Sequence, residues 1–321
     1  MTESHPELTR VTMVPLRGLM ADEVDELRSA AEIISANLQE LSQLAESFRT
    51  YYTNTISTEA IAYWLLQFRT QKAVRWGLTV LRHIHFVDEQ RLTALLRTAY
   101  AKVPLEDHDK ACMSTIGTAY DSSAPVGYAF MKSLGWDEAE LTRRVVPFAQ
   151  IGMDMRPIVL LDDNITSGIQ LKQYLSEMFP DHSGVREHLS EPLQPEQLDQ
   201  LQKTRIYALV GVELGGGRSV VEAFARDKGL CLAVHSGSQD SNYWLEYGGR
   251  AWESAEDATA AKALIANISR SLFQDKGWTE DKVAGRLLGY GNLQKLTVFA
   301  HNTPACTRPA RPYNSSAPPL A

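Results

Sequence analysis

Residues 157–170, with the sequence PIVLLDDNITSGIQ, decide the fold of this chain. The apolar run 158–161 follows a proline and predicts a short strand buried on both faces, as in a parallel sheet. Two carboxylates, Asp162 and Asp163, come directly after it, and an amphipathic helix begins after Gly168. The stretch therefore predicts a strand that ends in acids and turns at once into a helix N-terminus.

The turn at residues 166–168 has the composition of a phosphate site. Free backbone N–H groups and the positive end of the helix dipole bind phosphate, and the hydroxyls of Thr166 and Ser167 add donors. Asp162 and Asp163 would repel that phosphate, and they suit sugar hydroxyls or a bound cation. The predicted ligand is therefore a 5-phosphorylated ribose. The alternative is an ordinary strand-to-helix turn capped by Asp and Thr.

This stretch resembles the phosphoribosyl-diphosphate motif of type I phosphoribosyltransferases, in which an apolar strand precedes Asp-Asp, two further residues and Thr-Thr/Ser-Gly. The resemblance implies that Asp162 and Asp163 hold the ribose hydroxyls and are the catalytic residues. It also implies Mg²⁺ as cofactor, carried by the ligand, so that the two aspartates meet the metal only indirectly. Gln170 departs from the family, which has Thr there. The ligand-binding residues implied in this stretch are Asn164, Ile165, Thr166, Ser167 and Gly168.

Length and composition bound the remaining possibilities. A chain of 321 residues predicts two or three domains, and a net charge of −7 excludes a basic nucleic-acid-binding footprint over the whole molecule. The three cysteines lie far apart, which argues against a zinc site and a disulfide framework. A polar N-terminus and the absence of a long apolar run predict a cytoplasmic protein with no membrane partner.

Residues 22–50 contain neither Gly nor Pro, and their apolar residues recur at alternating steps of three and four. This pattern predicts one long helix with a heptad seam, preceded by an irregular lead-in, so that residues 1–50 form the first unit. Two interpretations stay open. The helix packs on the next domain, or it is a coiled-coil arm for a partner or a second copy of the chain.

Residues 51–106 predict a small helical module of three short helices, similar to a winged-helix or helix-turn-helix domain. Residues 58–104 carry seven basic and three acidic side chains, so this module is basic within an acidic protein. It could grip a nucleic-acid backbone, or it could be a helical adaptor with a solvated basic face. The predicted nucleic-acid-binding residues are Arg69, Lys72, Arg75 and Arg82.

Strand and helix patterns alternate over residues 111–235, which predicts βαβ crossovers and a parallel sheet with ligands beyond the carboxyl ends of its strands. By the same resemblance, Gly117 and Thr118 follow an early strand in the position of a pyrophosphate loop. The alternative is an ordinary turn of the kind that opens helices in many α/β proteins. His235 lies at another strand end and is interpreted as a satisfied polar group. The polar, proline-rich segment 180–203 predicts an insertion over the sheet edge or a mobile hood.

The C-terminal part is more distinctive. Gly-Tyr-Gly-Asn at 289–292, an apolar strand at 296–300 and His-Asn-Thr-Pro at 301–304 resemble the signature of a phosphoribosyltransferase-like family of bacterial conflict systems. Members carry a winged-helix-like block ahead of the transferase-like domain, and some are encoded beside retron reverse transcriptases as anti-phage effectors. The resemblance covers residues 58–309 and implies a reverse transcriptase with its RNA/DNA as partner. The residues that would close the site over ribose C1 are Gly291, Asn292, His301 and Asn302.

The expected fold is α/β. A parallel-sheet phosphoribosyltransferase-like domain, residues 107–306, follows the long N-terminal helix and the winged-helix-like module, and residues 307–321 form a disordered tail. The expected function is ribosyl transfer or cleavage at ribose C1 through an oxocarbenium-like state, where the protein supplies positioning and electrostatics. The alternatives are a non-catalytic, ligand-sensing DNA-binding regulator of the purine-repressor type, and a purely structural docking protein.

Overall fold

Helices and parallel strands alternate along the chain in the computed structural model, which describes residues 21–50, 56–116, 123–147, 156–240, 244–245, 251–275, 277–289 and 292–301. The helices are α1 (Ala21–Ala36), α2 (Leu38–Ser47), α3 (Thr58–Leu66), α4 (Gln71–Arg82), α5 (Glu89–Tyr100), α6 (Leu105–His108), α7 (Ser123–Ser133), α8 (Glu138–Arg144), α9 (Ile169–Ser176), α10 (Pro195–Lys203), α11 (Gly217–Asp227), α12 (Ala255–Asp275) and α13 (Glu280–Ala284). The strands are β1 (His85–Val87), β2 (Cys112–Thr115), β3 (Ile158–Ile165), β4 (Arg205–Glu213), β5 (Cys231–Gln239) and β6 (Thr297–Phe299). The predicted α/β class is confirmed.

The main sheet has the order β2-β3-β4-β5, and every neighbouring pair is parallel. The predicted buried strand is β3, which lies inside the sheet and whose apolar residues 158–161 are all at most 1% exposed. Because the strands run in the same direction, their carboxyl ends share one edge. That edge brings together the ends of β3, β4 and β5, at Ile165, Glu213 and Gln239.

Helices cover both faces of this sheet. On one face, α9 and α11 bury residues such as Tyr174 and Val221 against β3, β4 and β5. On the other face, α5 and α7 bury residues such as Leu96 and Phe130. The two cores hold the strands from both sides, which explains why the strands are apolar at consecutive positions rather than at alternate ones.

Helix α5 lies directly on the sheet because two strand residues have no side chain. A Cβ atom at Gly237 would overlap the carbonyl oxygen of Leu95, and one at Gly211 would overlap the side chain of Leu92. Helix α5 therefore packs in the sheet core, while α3 and α4 pack elsewhere. This arrangement divides the block predicted at residues 51–106 between two cores, and its winged-helix-like character stays a prediction.

The N-terminal helices pack on α3 and α4 of the same chain, and α4 also contacts α12. Of the predicted seam, Ile34, Leu41 and Ala45 are buried in the core that those helices share, together with Ala30. Two other seam residues, Ala31 and Leu38, are exposed. The single helix expected over 22–50 is two helices, because the Asn37 side-chain amide donates to the carbonyl oxygen of Ile33, at 2.7 Å, where α1 ends. Within the described residues, no helix is both long and apolar enough to cross a membrane.

Strands β1 and β6 form a separate parallel pair that ties the C-terminal part to α5. His85 pairs with Thr297 and Val87 with Phe299, and the N–H of Ala300 donates to the carbonyl oxygen of Val87 at 3.0 Å. Strand β1 ends one residue before the N-cap of α5. The position of the chain up to residue 300 is thus fixed relative to the main sheet.

The segment 180–203 is not a hood, because it is pinned to the sheet core. Leu189, Leu193 and Leu201 are buried with the residues of α9. The Glu177 carboxylate accepts hydrogen bonds from three consecutive backbone N–H groups, those of residues 187–189, at 2.8–3.0 Å. The polar composition of the segment suggested mobility. Its three buried leucines and the hydrogen bonds to Glu177, just before the segment, hold it against the sheet core instead.

Glu177 is almost fully buried and stays ionised. Burial opposes its ionisation, but the hydrogen bond from the His188 ring and those from the three backbone N–H groups outweigh it, and the pKa of Glu177 falls from 4.5 to about 2. A pKa lowered by folding means that the unfolded chain binds the proton more readily. The stabilisation is therefore fully present above pH 4.5 and is lost as the pH falls toward 2.

We expect Glu177→Gln to lower the free energy of unfolding at pH 7 by about 3 kcal/mol, because the pKa difference converts at about 1.4 kcal/mol per unit. Urea unfolding at pH 7 and pH 3 measures this. The difference in the free energy of unfolding between the wild type and the variant should be smaller at pH 3 than at pH 7. Glu191→Gln, at an exposed position of the same segment, is the control and should change little. An equal loss at both pH values would contradict the assignment.

Candidate functional site

The two predicted aspartates lie within β3 rather than after it. The strand continues to Ile165 because the ladder with β4 persists past the apolar run. Asp162 is half-buried, whereas Asp163 is only 2% exposed. The N–H of Asp163 donates to Oδ1 of Asp162 at 2.9 Å. The strand end therefore holds two neighbouring carboxylates in different environments.

Both oxygens of Asp163 accept hydrogen bonds. Nε2 of His301 lies 2.7 Å from Oδ2, and Nδ2 of Asn164 lies 2.6 Å from Oδ1. The hydroxyl of Thr166 in turn donates to Oδ1 of Asn164 at 3.1 Å. One network thus runs from the C-terminal part of the chain through Asp163 to the turn that precedes α9.

His301 reaches Asp163 because β6 directs it there. The ladder to β1 extends to Ala300, and the Phe299 ring, which is fully buried, lies 5.8 Å from the His301 ring. The sequence placed His301 near the site, but the direct contact with Asp163 could not be read from it, since the two residues are 138 positions apart. Asn302, Gly291, Gly117 and Thr118 lie outside the described residues.

The turn before α9 has a left-handed glycine at its end. Gly168 has φ 71°, a value that favours glycine, and α9 begins at Ile169 as predicted. The Ser167 hydroxyl accepts a hydrogen bond from the N–H of Ile169 at 3.3 Å. Thr166 and Ser167 are both half-buried. Backbone N–H groups at the start of a helix are suited to a phosphate.

A second glycine loop, residues 215–217, packs against this turn. A Cβ atom at Gly217 would lie 2.6 Å from the backbone nitrogen of Gly168, and one at Gly215 would lie 2.8 Å from the carbonyl oxygen of Thr166. The start of α11 therefore lies beside the start of α9. Three consecutive glycines after a strand are the sequence signal for this contact, although the partner of the loop could not be predicted.

A charged network at the ends of β4 and β5 was not predicted as part of the site. Glu213 accepts hydrogen bonds from Arg218 at 2.8 Å and from Gln239 at 2.9 Å. The Arg218 guanidinium also donates to the Ser236 hydroxyl at 2.8 Å. These groups share the edge of the sheet with Asp162 and Asp163, and they attach the start of α11 to β5.

The predicted site residue Asn292 and the strand-end residue His235 both have structural partners. The Asn292 amide accepts from the N–H of Leu288 and donates to the carbonyl oxygen of Ala284, both at 3.2 Å, so it closes a turn. His235 stacks on Tyr207, and burial, with Lys102 and Arg218 nearby, lowers the pKa of His235. Ile165 has a buried side chain, which leaves its backbone as the part that could meet a ligand.

The predicted nucleic-acid-binding residues divide into two pairs. Arg82 forms a two-pronged ion pair with Glu40, at 2.6 and 2.7 Å, and Lys72 lies 3.0 Å from Asp257. The hydrogen bond from Arg82 lowers the pKa of Glu40. Arg69 and Arg75 are exposed. Two of the four basic side chains are therefore already engaged with acids of the same chain.

Among the described residues, no group of three or more His, Cys, Asp or Glu side chains could hold a metal ion.

Comparison with known proteins gives a family match. A family model described as PRTase-CE matches residues 61–310, well over half of the 321 residues. No curated protein and no solved structure matches the chain. The matched range begins in α3 and includes the acidic strand end, the two glycine loops and His301.

We expect Gly217→Ala to destabilise the protein by roughly 2 kcal/mol or more, since the added methyl group would collide with the backbone of Gly168 and Thr166. Thermal and urea unfolding would measure the loss. Gly216→Ala is the matched control: its φ is −78° and no atom lies within 4 Å of an added Cβ. Equal stability of the two variants would show that the two glycine loops do not touch.

Proposed function

The chain belongs to the PRTase-CE family, a phosphoribosyltransferase-like family, and from that premise we propose that it binds a 5-phosphoribosyl or nucleotide ligand with Mg²⁺ and transfers or cleaves it at ribose C1. The observation that carries this proposal is the placement of residues 162–168 at the carboxyl edge of the sheet. There, carboxylates lie directly beside a helix N-terminus with two hydroxyls.

The phosphate is proposed to lie at the turn 166–168. The backbone N–H groups at the start of α9 and the Ser167 hydroxyl supply donors, while the Thr166 hydroxyl, which donates to Asn164, would have to turn from it to add one. The close contact with Gly217 brings a second helix N-terminus alongside, and its dipole favours the same negative charge. A phosphate bound here would leave the sugar beside the end of β3.

The ribose hydroxyls are assigned to Asp162 first. It is the more exposed of the two aspartates, and a carboxylate accepts hydrogen bonds from a vicinal diol. Asp163 already accepts from His301 and Asn164, so its part is to organise the strand end. This division refines the equal roles that the family resemblance implied for Asp162 and Asp163.

Mg²⁺ fits this site as a cation carried by the ligand. Diphosphate and hydroxyl oxygens would supply most of its ligands, and Asp162 and Asp163 would not coordinate it directly. When bound, the metal offsets the negative charge that develops on a departing diphosphate. The chain's own residues hold the phosphate and orient the ribose while C1 takes on oxocarbenium character.

We further propose a cytoplasmic anti-phage role, with a retron reverse transcriptase and its RNA/DNA as partner. The support is the likeness of the C-terminal signature to conflict-system proteins. A DNA-binding regulator has weaker support, because Arg82 and Lys72 are engaged with Glu40 and Asp257. The burial of Ile34, Leu41 and Ala45 in a core of the same chain likewise weakens the interpretation as a coiled-coil arm.

We expect titration of the wild type with 5-phosphoribosyl diphosphate and Mg²⁺ to release or absorb measurable heat. Asp162→Asn should weaken binding by about 10-fold or more, since a charge-assisted hydrogen bond contributes about 1.5–3 kcal/mol. Asp199→Asn is the control, because Asp199 is an exposed acid of α10 and its loss should leave the affinity unchanged. No heat and no thermal protection with the wild type would refute the proposed ligand.

In cells, the defence role predicts that the wild type lowers phage plating when it is expressed with its neighbouring genes, and that Asp162→Asn does not. Nucleotide profiling of the same cultures would identify which nucleotide or phosphoribosyl compound is consumed. Equal protection by Asp162→Asn would reject a catalytic effector. Ligand-dependent binding of promoter DNA, with no product formed, would instead identify the regulator.

A further inference from the structure

The contact between His301 and Asp163 has the geometry of an oriented acid–base pair. On the basis of the function proposed above, we propose that His301 is the general acid of this site and that Asp163 orients it. The substrate is then a nucleoside 5′-monophosphate whose base must gain a proton in order to leave. Asp163 is then the positioning residue of the pair.

The hydrogen bond at 2.7 Å fixes which ring atom takes part in chemistry. Nε2 of His301 donates to Oδ2 of Asp163, and this leaves Nδ1 as the ring nitrogen that gives and receives protons. An almost fully buried carboxylate that holds one imidazole nitrogen is the arrangement by which hydrolytic enzymes set the orientation of a catalytic histidine. The His301 side chain is 24% exposed, so a ligand can reach the ring.

The surroundings hold this pair in place. The Phe299 ring lies against the His301 ring, and the β1–β6 ladder continues to Ala300. Oδ1 of Asp163 is held by Asn164, so the carboxylate cannot rotate without breaking a second hydrogen bond. Packing and hydrogen bonds already hold this proton donor in position, so less reorganisation of the site is needed to reach the transition state.

The pair also lies next to the proposed sugar site. Asp163 directly follows Asp162, and Asn164 connects it to Thr166 in the phosphate turn. A ribose 5-phosphate bound at the turn would therefore have the His301–Asp163 pair as a neighbour, through Asn164. In this proposal His301 lies on the C1 side of that ribose.

A general acid restricts the class of leaving group. Diphosphate leaves with its charge offset by Mg²⁺, and a cationic base such as nicotinamide leaves neutral, so neither needs a proton. The uncharged bases of the common nucleotides do need one. A built-in proton donor therefore points to a nucleoside 5′-monophosphate with an uncharged base.

The step balances with water as the acceptor. The bond between C1′ and the base nitrogen breaks, its electron pair goes to the base, and the base takes the proton from Nδ1 of His301. Water adds its oxygen to C1′ and returns one proton to Nδ1. The products are ribose 5-phosphate and the free base, and the enzyme regains its starting protonation state.

The test compares substrates that differ in their need for a proton. Base release from AMP, GMP, CMP and UMP is measured by chromatography, beside release from nicotinamide mononucleotide and N7-methylguanosine monophosphate, whose bases are cationic. Of the four nucleotides with uncharged bases, the one that the wild type cleaves fastest is the reference substrate. For that nucleotide, His301→Asn should lower kcat by roughly 100-fold or more. Release of the cationic bases should change by only a few fold.

His301→Gln separates chemistry from structure. A glutamine amide can donate to Asp163 as His301 does, but it cannot transfer a proton. We expect this variant to unfold at the wild-type temperature and to bind ribose 5-phosphate normally, while it stays as inactive as His301→Asn on uncharged bases. Wild-type activity in His301→Gln, or an equal loss on cationic and uncharged bases, would overturn the proposal.

The outcomes also separate this inference from the function on which it rests. If the wild type binds 5-phosphoribosyl diphosphate but releases no base from any of the four nucleotides, the general-acid role fails and the proposed ligand stands. If the wild type binds neither phosphoribosyl compounds nor nucleotides, the proposed function itself fails.

Discussion

The close contact between two glycine loops sets the geometry at the edge of the sheet. Gly168 and Gly217 approach so closely that neither position has room for a Cβ, and two helices consequently start side by side. A helix N-terminus carries partial positive charge and free N–H groups. Glycine is required here for a steric reason. The close approach that it allows has an electrostatic effect, because it concentrates backbone N–H donors beside the carboxylates of β3.

Local sequence patterns were sufficient to predict the centre of the fold. The run from Ile158 to Leu161 predicted a buried strand, and the residues up to Gly168 predicted the turn into α9. Both features follow from neighbouring residues, so periodicity and turn chemistry reveal them. The end of β3 was predicted less accurately than its start. Pairing with β4 extends β3 through both aspartates, and this pairing cannot be predicted from the sequence of β3 alone.

The features that the sequence did not reveal depend on contacts between distant segments. Helix α5 looked like the third helix of a basic module, yet Gly211 and Gly237 let it lie on the sheet. The leucines of segment 180–203 and the acid Glu177 were too sparse to indicate that this polar stretch is anchored. In each case the decisive partner lies far along the chain, and a single sequence cannot identify it.

The different environments of Asp162 and Asp163 show why a motif does not by itself assign roles. Adjacent carboxylates look equivalent in a sequence, but here one is half-buried and the other is enclosed by His301 and Asn164. A carboxylate that is only 2% exposed presents little surface to a sugar, and it acts best on the groups that enclose it. The β1–β6 ladder, which delivers His301, therefore decides what Asp163 can do.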